Sequence, residues 1–260
     1  MQSLLLPSLY SKYSINSLSG GKKTDKLGDV FEELVCLIFG SKKNIKEVFR
    51  EGYLEKEIIK SFFSKTKIEP KSVSSITATT KVMRRKSGGN SKTDVIVSVI
   101  LKDGRSIDVP ISVKQTTARQ VAFAEFSVET ICEEVGITNR RAKELMEKHQ
   151  RDGSARNFYP EEKEELRKLL KPFAEKLVRW TITMSPDEEP VGNEYPKYIL
   201  KFNLSVVDSV VLGFKFYNIE DYIDYIMYDN KGNIKNGGFG TGLAWTYATG
   251  SKGTKIQFKG

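Results

Sequence analysis

Cysteine and histidine are scarce in this sequence. The 260 residues include two cysteines, Cys36 and Cys132, and one histidine, His149. A zinc site needs about four Cys and His ligands at suitable spacing, so the composition excludes zinc chemistry of that kind. Both cysteines fall in apolar, helix-like stretches, and we interpret them as core thiols in a reducing cytoplasm.

Long apolar segments are missing as well. Residues 1–6 are apolar, but they carry no basic leader, and Pro7 and polar residues follow them. This start predicts neither a secretory signal nor a membrane span. We therefore expect a cytoplasmic protein without a lipid partner.

Acidic residues are outnumbered. Forty-two Lys and Arg stand against 33 Asp and Glu, which gives a net charge of +9. Such an excess favours a polyanionic partner through counterion release, although many basic proteins bind no nucleic acid. The bias is strongest in residues 231–260, which contain five lysines and eight glycines but no Asp or Glu.

What the sequence does contain is an acid and a base at one end of a hairpin pattern. Asp94 precedes an alternating apolar run, Lys114 closes the next one, and the turn-forming pair Asp103-Gly104 lies between them. Phosphodiester hydrolysis needs a carboxylate to hold a divalent cation and a cationic group to orient water and offset growing charge. The alternative is a strand-capping Asp94 and a solvated Lys114.

The register of the hairpin decides whether the two side chains can cooperate. A two-residue turn would place Asp94 opposite Val113, on the wrong face of the sheet. A three-residue loop with a glycine bulge shifts the pairing by one residue. We predict that this shift places Asp94 opposite Lys114 and diagonal to Ser112.

Three separated segments resemble the MspI-type restriction endonucleases, a branch of the nuclease superfamily with a Pro-Asp, spacer, Asp/Glu-x-Lys signature. They are Gly88-Gly89-Asn90-Ser91-Lys92-Thr93-Asp94; Val128-Glu129-Thr130-Ile131-Cys132 with Val135-Gly136-Ile137 and Lys148-His149-Gln150; and Gly238-Phe239-Gly240-Thr241-Gly242-Leu243 with Trp245-Thr246-Tyr247-Ala248 and Gln257-Phe258-Lys259-Gly260. The resemblance covers most of the chain. It implies a restriction-endonuclease-like α/β fold: a mixed central sheet flanked by helices, with a glycine- and lysine-rich C-terminal region that clasps DNA.

The resemblance also implies a catalytic site that uses Mg²⁺. Asp94 would be the principal metal ligand, Lys114 the catalytic lysine, and Ser112 and Val113 would complete the metal site. Ser112 stands where the superfamily has Asp or Glu and MspI-type enzymes have Asn, and a neutral hydroxyl binds a hard cation more weakly than a carboxylate does. Glu32, in a segment that resembles the family's first helix, would add a further acid; its alternative is an ordinary solvated helix residue.

Basic and polar stretches are predicted to contact double-stranded DNA. The basic stretch before the hairpin suits the phosphate backbone, and the amide-rich stretch 115–120 suits a groove, with a surface loop as its alternative. By resemblance, Thr246 and Lys259 face bases or phosphates, and Ala122 replaces a hydroxyl side chain near the DNA. The full set is Arg84, Arg85, Lys86, Gln115, Thr116, Thr117, Arg119, Gln120, Ala122, Thr246, Ser251, Lys252, Lys255, Gln257 and Lys259.

The function implied by the resemblance is that of a type II restriction endonuclease. MspI-type enzymes cut the palindrome CCGG as monomers. We therefore expect Mg²⁺-dependent hydrolysis of both DNA strands at a short GC-rich palindrome, which leaves 5′-phosphate ends. The enzyme is expected to be a monomer or weak dimer. A cognate DNA methyltransferase is expected to protect host DNA. Two alternatives remain: a sequence-specific DNA-binding protein in which Ser112 has disabled metal binding, and a structure-selective repair nuclease.

Periodicity predicts the other elements. Helices are expected at residues 25–39, 54–63, 128–135, 139–149, 160–173 and 219–228, and strands at 72–82, 177–184, 198–206 and 209–216. We expect a single domain, with a catalytic half at about 1–184 and a DNA-clasping half at about 185–260. In the tail, Trp245 is predicted to anchor a folded loop; a disordered basic tail is the alternative.

Overall fold

Helices and strands follow one another along the whole chain. The computed structural model describes residues 1–45, 49–85 and 90–260. In chain order its main elements are α1 (Leu6–Lys12), α2 (Gly20–Ile38), α3 (Leu54–Thr66), β1 (Val73–Thr79), β2 (Val95–Leu101), β3 (Ser106–Thr116), β4 (Ala122–Phe126), α4 (Val128–Val135), α5 (Arg140–Asp152), α6 (Pro160–Leu170), α7 (Ala174–Thr183), β5 (Tyr198–Leu204), β6 (Val211–Asn218), α8 (Ile219–Met227), β7 (Ala244–Thr246) and β8 (Ile256–Lys259). Over these described ranges, none of the helices combines the length and the apolar character needed to cross a bilayer.

The elements form two units that are not contiguous in sequence. The first unit comprises Met1–Arg119 and Val191–Ile219, and the second comprises Gln120–Pro190 and Glu220–Gly260. The chain therefore enters the second unit well before the predicted division near residue 185 and returns to the first unit at Val191. That both units act as one domain stays a prediction.

The first unit is built on a five-stranded mixed sheet. Its strand order is β1-β2-β3-β5-β6, with β3 and β5 parallel and the other neighbours antiparallel. Helix α2 packs against β1, β2 and β3, because apolar residues recur along one side of it at intervals of three and four. Phe31 of α2 meets Phe202 of β5 with ring centroids 4.4 Å apart, in a core that excludes water.

The second unit combines helices α4 to α7 with a three-stranded antiparallel sheet in the order β4-β8-β7. Helices α4 and α5 begin as N-capped helices do: the side chain of Ser127 accepts from Thr130 N, and that of Asn139 from Ala142 N. The C-terminal tail closes the sheet, since Val121 and Gly260 exchange two backbone hydrogen bonds of 2.8 and 3.0 Å. The basic tail is thus folded, as the aromatic residues in it predicted.

The strand predicted at residues 177–184 is wrong, because this segment belongs to helix α7. Nearly every side of the helix is buried, so its apolar residues are not confined to one face of it. Its threonines are β-branched residues, which are typical of strands, and the sequence therefore predicted a strand. The hydroxyls of Thr181 and Thr183 donate to the carbonyls of Leu177 and Arg179, at 2.7 and 2.9 Å. Those bonds satisfy buried hydroxyl groups inside the helix.

Candidate active site

Three donors converge on one carboxylate oxygen of Asp94. Its Oδ2 accepts from Ser112 Oγ at 3.0 Å, from Val113 N at 2.7 Å and from Lys114 Nζ at 2.8 Å. Lys114 Nζ also donates to the carbonyl oxygen of Val113 at 3.2 Å. The predicted juxtaposition of Asp94 and Lys114 is confirmed, in a partly buried cluster at the ends of β2 and β3.

The approach to Asp94 is held in place by the backbone of Glu194. The carbonyl of Glu194 accepts from Ser91 Oγ at 2.8 Å and from the backbone amides of Lys92 and Thr93 at 3.2 and 3.4 Å. Asp94 N then donates to Ile111 O at 2.9 Å, which docks the residue against β3. The position of the Asp94 backbone is therefore set by contacts with the carbonyls of Glu194 and Ile111.

The direction of the predicted register shift is wrong. The hairpin has the predicted three-residue loop, closed by a 2.8 Å bond from Leu101 N to Arg105 O, with Gly104 at φ 88°. Because the loop takes in Lys102, it moves the pairing back by one residue: Val95 pairs with Ile111. Asp94 accordingly lies beside Ser112, and Lys114 is the diagonal neighbour on the same face.

Glu32 lies within electrostatic reach of this cluster. It is half-buried on α2, and burial, followed by the negative charge of Asp94, raises its pKa to about 7, while Lys114 opposes the shift. A carboxyl group with this pKa exchanges its proton near neutral pH, which is a property of acid–base groups at active sites. Its catalytic role stays a prediction.

Lys92 belongs to the same electrostatic cluster, and the sequence analysis missed it. Burial and then the positive charge of Lys114 lower the pKa of Lys92 to about 8. The signal was present in the sequence, because residues two apart in an extended segment share a face, and Lys92 precedes Asp94 by two.

A second buried lysine was also missed. Lys201 on β5 pairs with Lys114 on one side and with Lys215 of β6 on the other. Its Nζ donates to the carbonyl of Arg119 at 3.0 Å, and burial followed by the charge of Lys215 lowers its pKa to about 8. A lysine in the middle of an otherwise apolar strand was the available signal.

The predicted DNA contacts of the first unit have unequal access to solvent. Arg84, Thr117 and Arg119 are exposed, whereas Thr116 is buried. Arg85 is half-buried, with its Nε donating to Asn90 O at 3.1 Å, and the Gln115 amide donates to Thr24 O at 2.9 Å in α2. Lys86 lies outside the described residues.

The predicted contacts of the tail gather on one face of the three-stranded sheet. Gln257 pairs with Thr246 on one side and with Glu125 on the other, and Lys259 pairs with Ala244 and Ala122. Directly opposed residues of antiparallel strands point to the same side, so these rows share a face. Lys252, Lys255 and Gln120 are exposed, whereas Ser251 is buried and donates its hydroxyl to Glu125 Oε2.

The other face of this sheet is a core. Trp245 is buried against Phe258, Phe239 and His149, with ring centroids 5.3, 5.1 and 5.5 Å away. The role predicted for Trp245 as the anchor of the tail is therefore confirmed.

Two glycines of the tail serve this packing. A Cβ on Gly238 would lie 2.1 Å from Leu243 O, and one on Gly242 would lie 2.1 Å from Ile226 O. These two positions allow the protein's own backbone segments to approach each other.

The sequence matches the family described as Restriction endonuclease MspI over residues 12–260. The chain belongs to this family. It is 34% identical to the type II restriction enzyme MspI of Moraxella sp. over 266 residues, with 100% of both proteins covered. It is 26% identical over 226 residues to the type II restriction enzyme BsuFI of Bacillus subtilis, across 84% of this chain and 50% of that protein.

The fold agrees with this membership. A crystal structure of restriction endonuclease MspI in complex with its cognate DNA is similar over 100% of both chains, with a TM-score of 0.90 and 32% sequence identity. The predicted family, the mixed α/β fold and the class of enzyme, a site-specific endonuclease, are confirmed.

A divalent metal at this MspI-family site would need oxygen ligands from the residues around Asp94. In the described part of the chain, no three His, Cys, Asp or Glu side chains form a metal-binding group. Asp94 and the Val113 carbonyl nevertheless supply hard oxygen donors that share a bond to Lys114 Nζ, and Glu32 interacts electrostatically with Asp94. Mg²⁺ is commonly held by one or two carboxylates and keeps several waters, so this donor set fits such an ion.

Proposed function

We propose that this MspI-family protein is a type II restriction endonuclease that hydrolyses both strands of double-stranded DNA at a short GC-rich palindrome, CCGG, with Mg²⁺ and with 5′-phosphate products. The observation that carries the proposal is the convergence of Ser112, Val113 and Lys114 on Asp94 Oδ2. A carboxylate and an ammonium held on one face of a hairpin are the pair that phosphodiester hydrolysis requires.

Double-stranded DNA is the substrate that the similarity favours. The related MspI structure, with a TM-score of 0.90, contains that enzyme's cognate DNA. The net charge of +9 agrees with a polyanionic substrate. The first unit would supply cleavage, and the polar face of the second unit's sheet would supply base contacts.

The residues of the cluster have separable roles in this proposal. The Asp94 carboxylate and the Val113 carbonyl would hold the cation, which when bound supplies a Lewis acid and an activated water. Ser112 donates its hydroxyl to Asp94, so its role is to orient that carboxylate. Lys114 would orient the attacking water and offset the charge that grows on the phosphate. Glu32 would exchange a proton with solvent near neutral pH.

Ser112 also supports the competing function. Because a neutral hydroxyl stands where the wider superfamily has Asp or Glu, metal affinity would fall, and a protein that binds its site without cutting would result. Incubation of plasmid DNA with and without Mg²⁺ separates these functions. Discrete fragments support the endonuclease, whereas a gel shift without cleavage supports the binding protein. Cleavage at branches or mismatches with no fixed sequence supports a structure-selective nuclease.

Sequencing the cut ends tests the recognition site and the end chemistry together. The proposal expects one palindrome at every cut and ends that a ligase joins without prior phosphorylation. Cuts at unrelated sequences contradict the proposed specificity.

The cellular setting follows from this activity. A cytoplasmic endonuclease with a short site threatens host DNA, so we place a cognate methyltransferase in the same cell as a functional partner. We also propose that a monomer or weak dimer cuts the site. Sedimentation with and without a site-containing duplex tests the stoichiometry, and cleavage of DNA methylated in vitro tests the protection.

A further inference from the structure

We propose that Glu125 is a specificity-determining residue whose carboxylate accepts a hydrogen bond from the exocyclic amino group of a cytosine in the major groove. The inference rests on the proposed function, because it requires the polar face of the β4-β8-β7 sheet to meet DNA. It adds a residue that neither the composition of the tail nor the family resemblance indicated.

The strand register puts Glu125 in the middle of the predicted contacts. Glu125 of β4 pairs with Gln257 of β8, which in turn pairs with Thr246 of β7. The next row on the same face carries Ala122 and Lys259. Glu125 and Gln257 are both half-buried, so their ends remain accessible from this face.

On a surface that meets DNA, the negative charge of Glu125 is electrostatically unfavourable. It is the single acidic residue of β4, β7 and β8, three strands that the structure describes in full. Lys259 shares its face, and Lys252 and Lys255 are exposed in the segment before β8. A carboxylate repels phosphates, so a hydrogen-bond donor on the DNA is needed to compensate for it.

Cytosine carries the donor that suits a carboxylate. Its N4 amino group points into the major groove, where Glu and Asp accept from it. Adenine also presents an amino group there, but its N7 acceptor lies beside it and repels a second carboxylate oxygen, an arrangement that suits an amide. A carboxylate is therefore selective for cytosine.

Ser251 restricts the orientation of the Glu125 carboxylate that would contact cytosine. The buried Ser251 hydroxyl donates to Glu125 Oε2. That bond restricts the side chain to one orientation, yet a carboxylate offers about four acceptor sites, so capacity to accept from a base remains. The competing explanation is that Glu125 only anchors the turn that contains Ser251.

A coupling experiment between the protein and the base distinguishes these explanations. Each cytosine of the cleaved site is replaced in turn by pyrimidin-2-one, which lacks only the amino group, and duplex binding is measured by competition in metal-free buffer. The wild-type protein is expected to lose about 10- to 100-fold in affinity at one cytosine, the discrimination typical of a good base contact. In Glu125→Gln the same deletion should cost less than about threefold.

Glu129→Gln is the matched control, since Glu129 is an exposed acid at the start of α4 and should leave the wild-type pattern unchanged. An equal penalty in wild type and Glu125→Gln at every cytosine overturns the proposal. If Glu125→Gln fails to fold by thermal melting, Ser251→Ala carries the test: a several-fold smaller penalty at that one cytosine supports base contact, and an unchanged penalty overturns it.

Failure of this inference and failure of the proposed function are distinguishable. A protein that binds the duplex but does not cut it contradicts the hydrolytic function while the coupling stays measurable. A protein that binds no DNA contradicts both.

Discussion

The two units of this protein arrange their polar side chains in different ways. In the first unit, three donors from consecutive residues of β3 meet one oxygen of Asp94. In the second unit, polar side chains lie in rows across a sheet, each opposite a neighbour on the next strand. Convergence on one atom suits bond cleavage, where a single charge must be stabilised. A spread array suits recognition, where several base edges are contacted.

The charged side chains of the two units also differ in how they are paired and in how their pKa values are shifted. In the first unit, burial and a neighbouring charge shift the pKa of Glu32 up to about 7 and that of Lys92 down to about 8. In the second unit, the buried guanidinium of Arg179 is paired with Glu220 and Glu175, at 2.7 and 3.0 Å, and these bonds raise its pKa. Groups whose pKa is shifted toward neutral pH beside other charges are typical of functional sites, whereas a fully paired charge is typical of a structural role.

The largest effect is expected from Lys114→Ala, which removes the ammonium from the convergent cluster. Cleavage should fall roughly 1,000-fold, because a charge-stabilising donor at a reacting phosphate is lost, while DNA binding stays close to wild type. Single-turnover cleavage and a gel shift measure the two quantities. Lys102→Ala, in the loop of the same hairpin, is the control and should cut normally. Retained turnover in the Lys114 variant would contradict the assigned role.

Asp94→Ala should be nearly as severe for cleavage, at roughly 100-fold or more, because the carboxylate that we propose as the principal metal ligand is gone. Binding to DNA in metal-free buffer should become slightly tighter, since a carboxylate no longer faces phosphate. Exposed Asp103 in the same hairpin provides the control, Asp103→Ala. Normal Mg²⁺-dependent cleavage by the Asp94 variant would be incompatible with the proposed site.

Lowering the pH should weaken the second unit through a buried histidine. His149 is buried among Phe158, Phe239 and Trp245, and burial lowers its pKa to about 4, opposed by Asp152. The unfolded chain takes up this proton near pH 6.5 and the folded chain only near pH 4. Stability from this group is therefore complete above pH 6.5 and falls by up to about 3 kcal/mol as the pH drops to 4.

Urea denaturation of wild type and His149→Gln between pH 7 and pH 4 measures that loss. The variant should be less stable at pH 7 but should lack this part of the pH dependence. Parallel curves for the two proteins would rule out His149 as its source.

The smallest effect on cleavage is expected from removing one of the three hydrogen-bond donors to Asp94. Ser112→Ala removes one of the three donors to Asp94 and should slow cleavage by about fivefold, since one hydrogen bond contributes about 1 kcal/mol. The Mg²⁺ concentration at half-maximal rate should change little, because the hydroxyl orients the carboxylate and does not bind metal. Ser106→Ala, an exposed residue of the same strand, is the control. A large rise in the required Mg²⁺ would instead make Ser112 a ligand.

Much of the cleavage cluster could be predicted from local pattern. Alternation of apolar residues predicted two adjacent strands, and Asp103-Gly104 predicted the turn that brings Asp94 and Lys114 to one end of the hairpin. The family resemblance supplied the fold and the kind of enzyme. Residues 128–135 formed the predicted helix at its predicted bounds, because Ser127 and Gly136 are strong start and stop signals.

What local pattern left undecided depended on contacts between distant segments. The sequence by itself determined that Asp94 and Lys114 lie at one end of a hairpin and that the tail folds around Trp245. Only the tertiary structure decided that Asp94 lies beside Ser112, that Lys201 is buried and Lys92 half-buried near charged neighbours, and that residues 177–183 are helical. Residues distant in sequence set the strand register, the burial of a charged side chain and the packing of a helix that is buried on all sides. Local periodicity does not contain information about these distant residues.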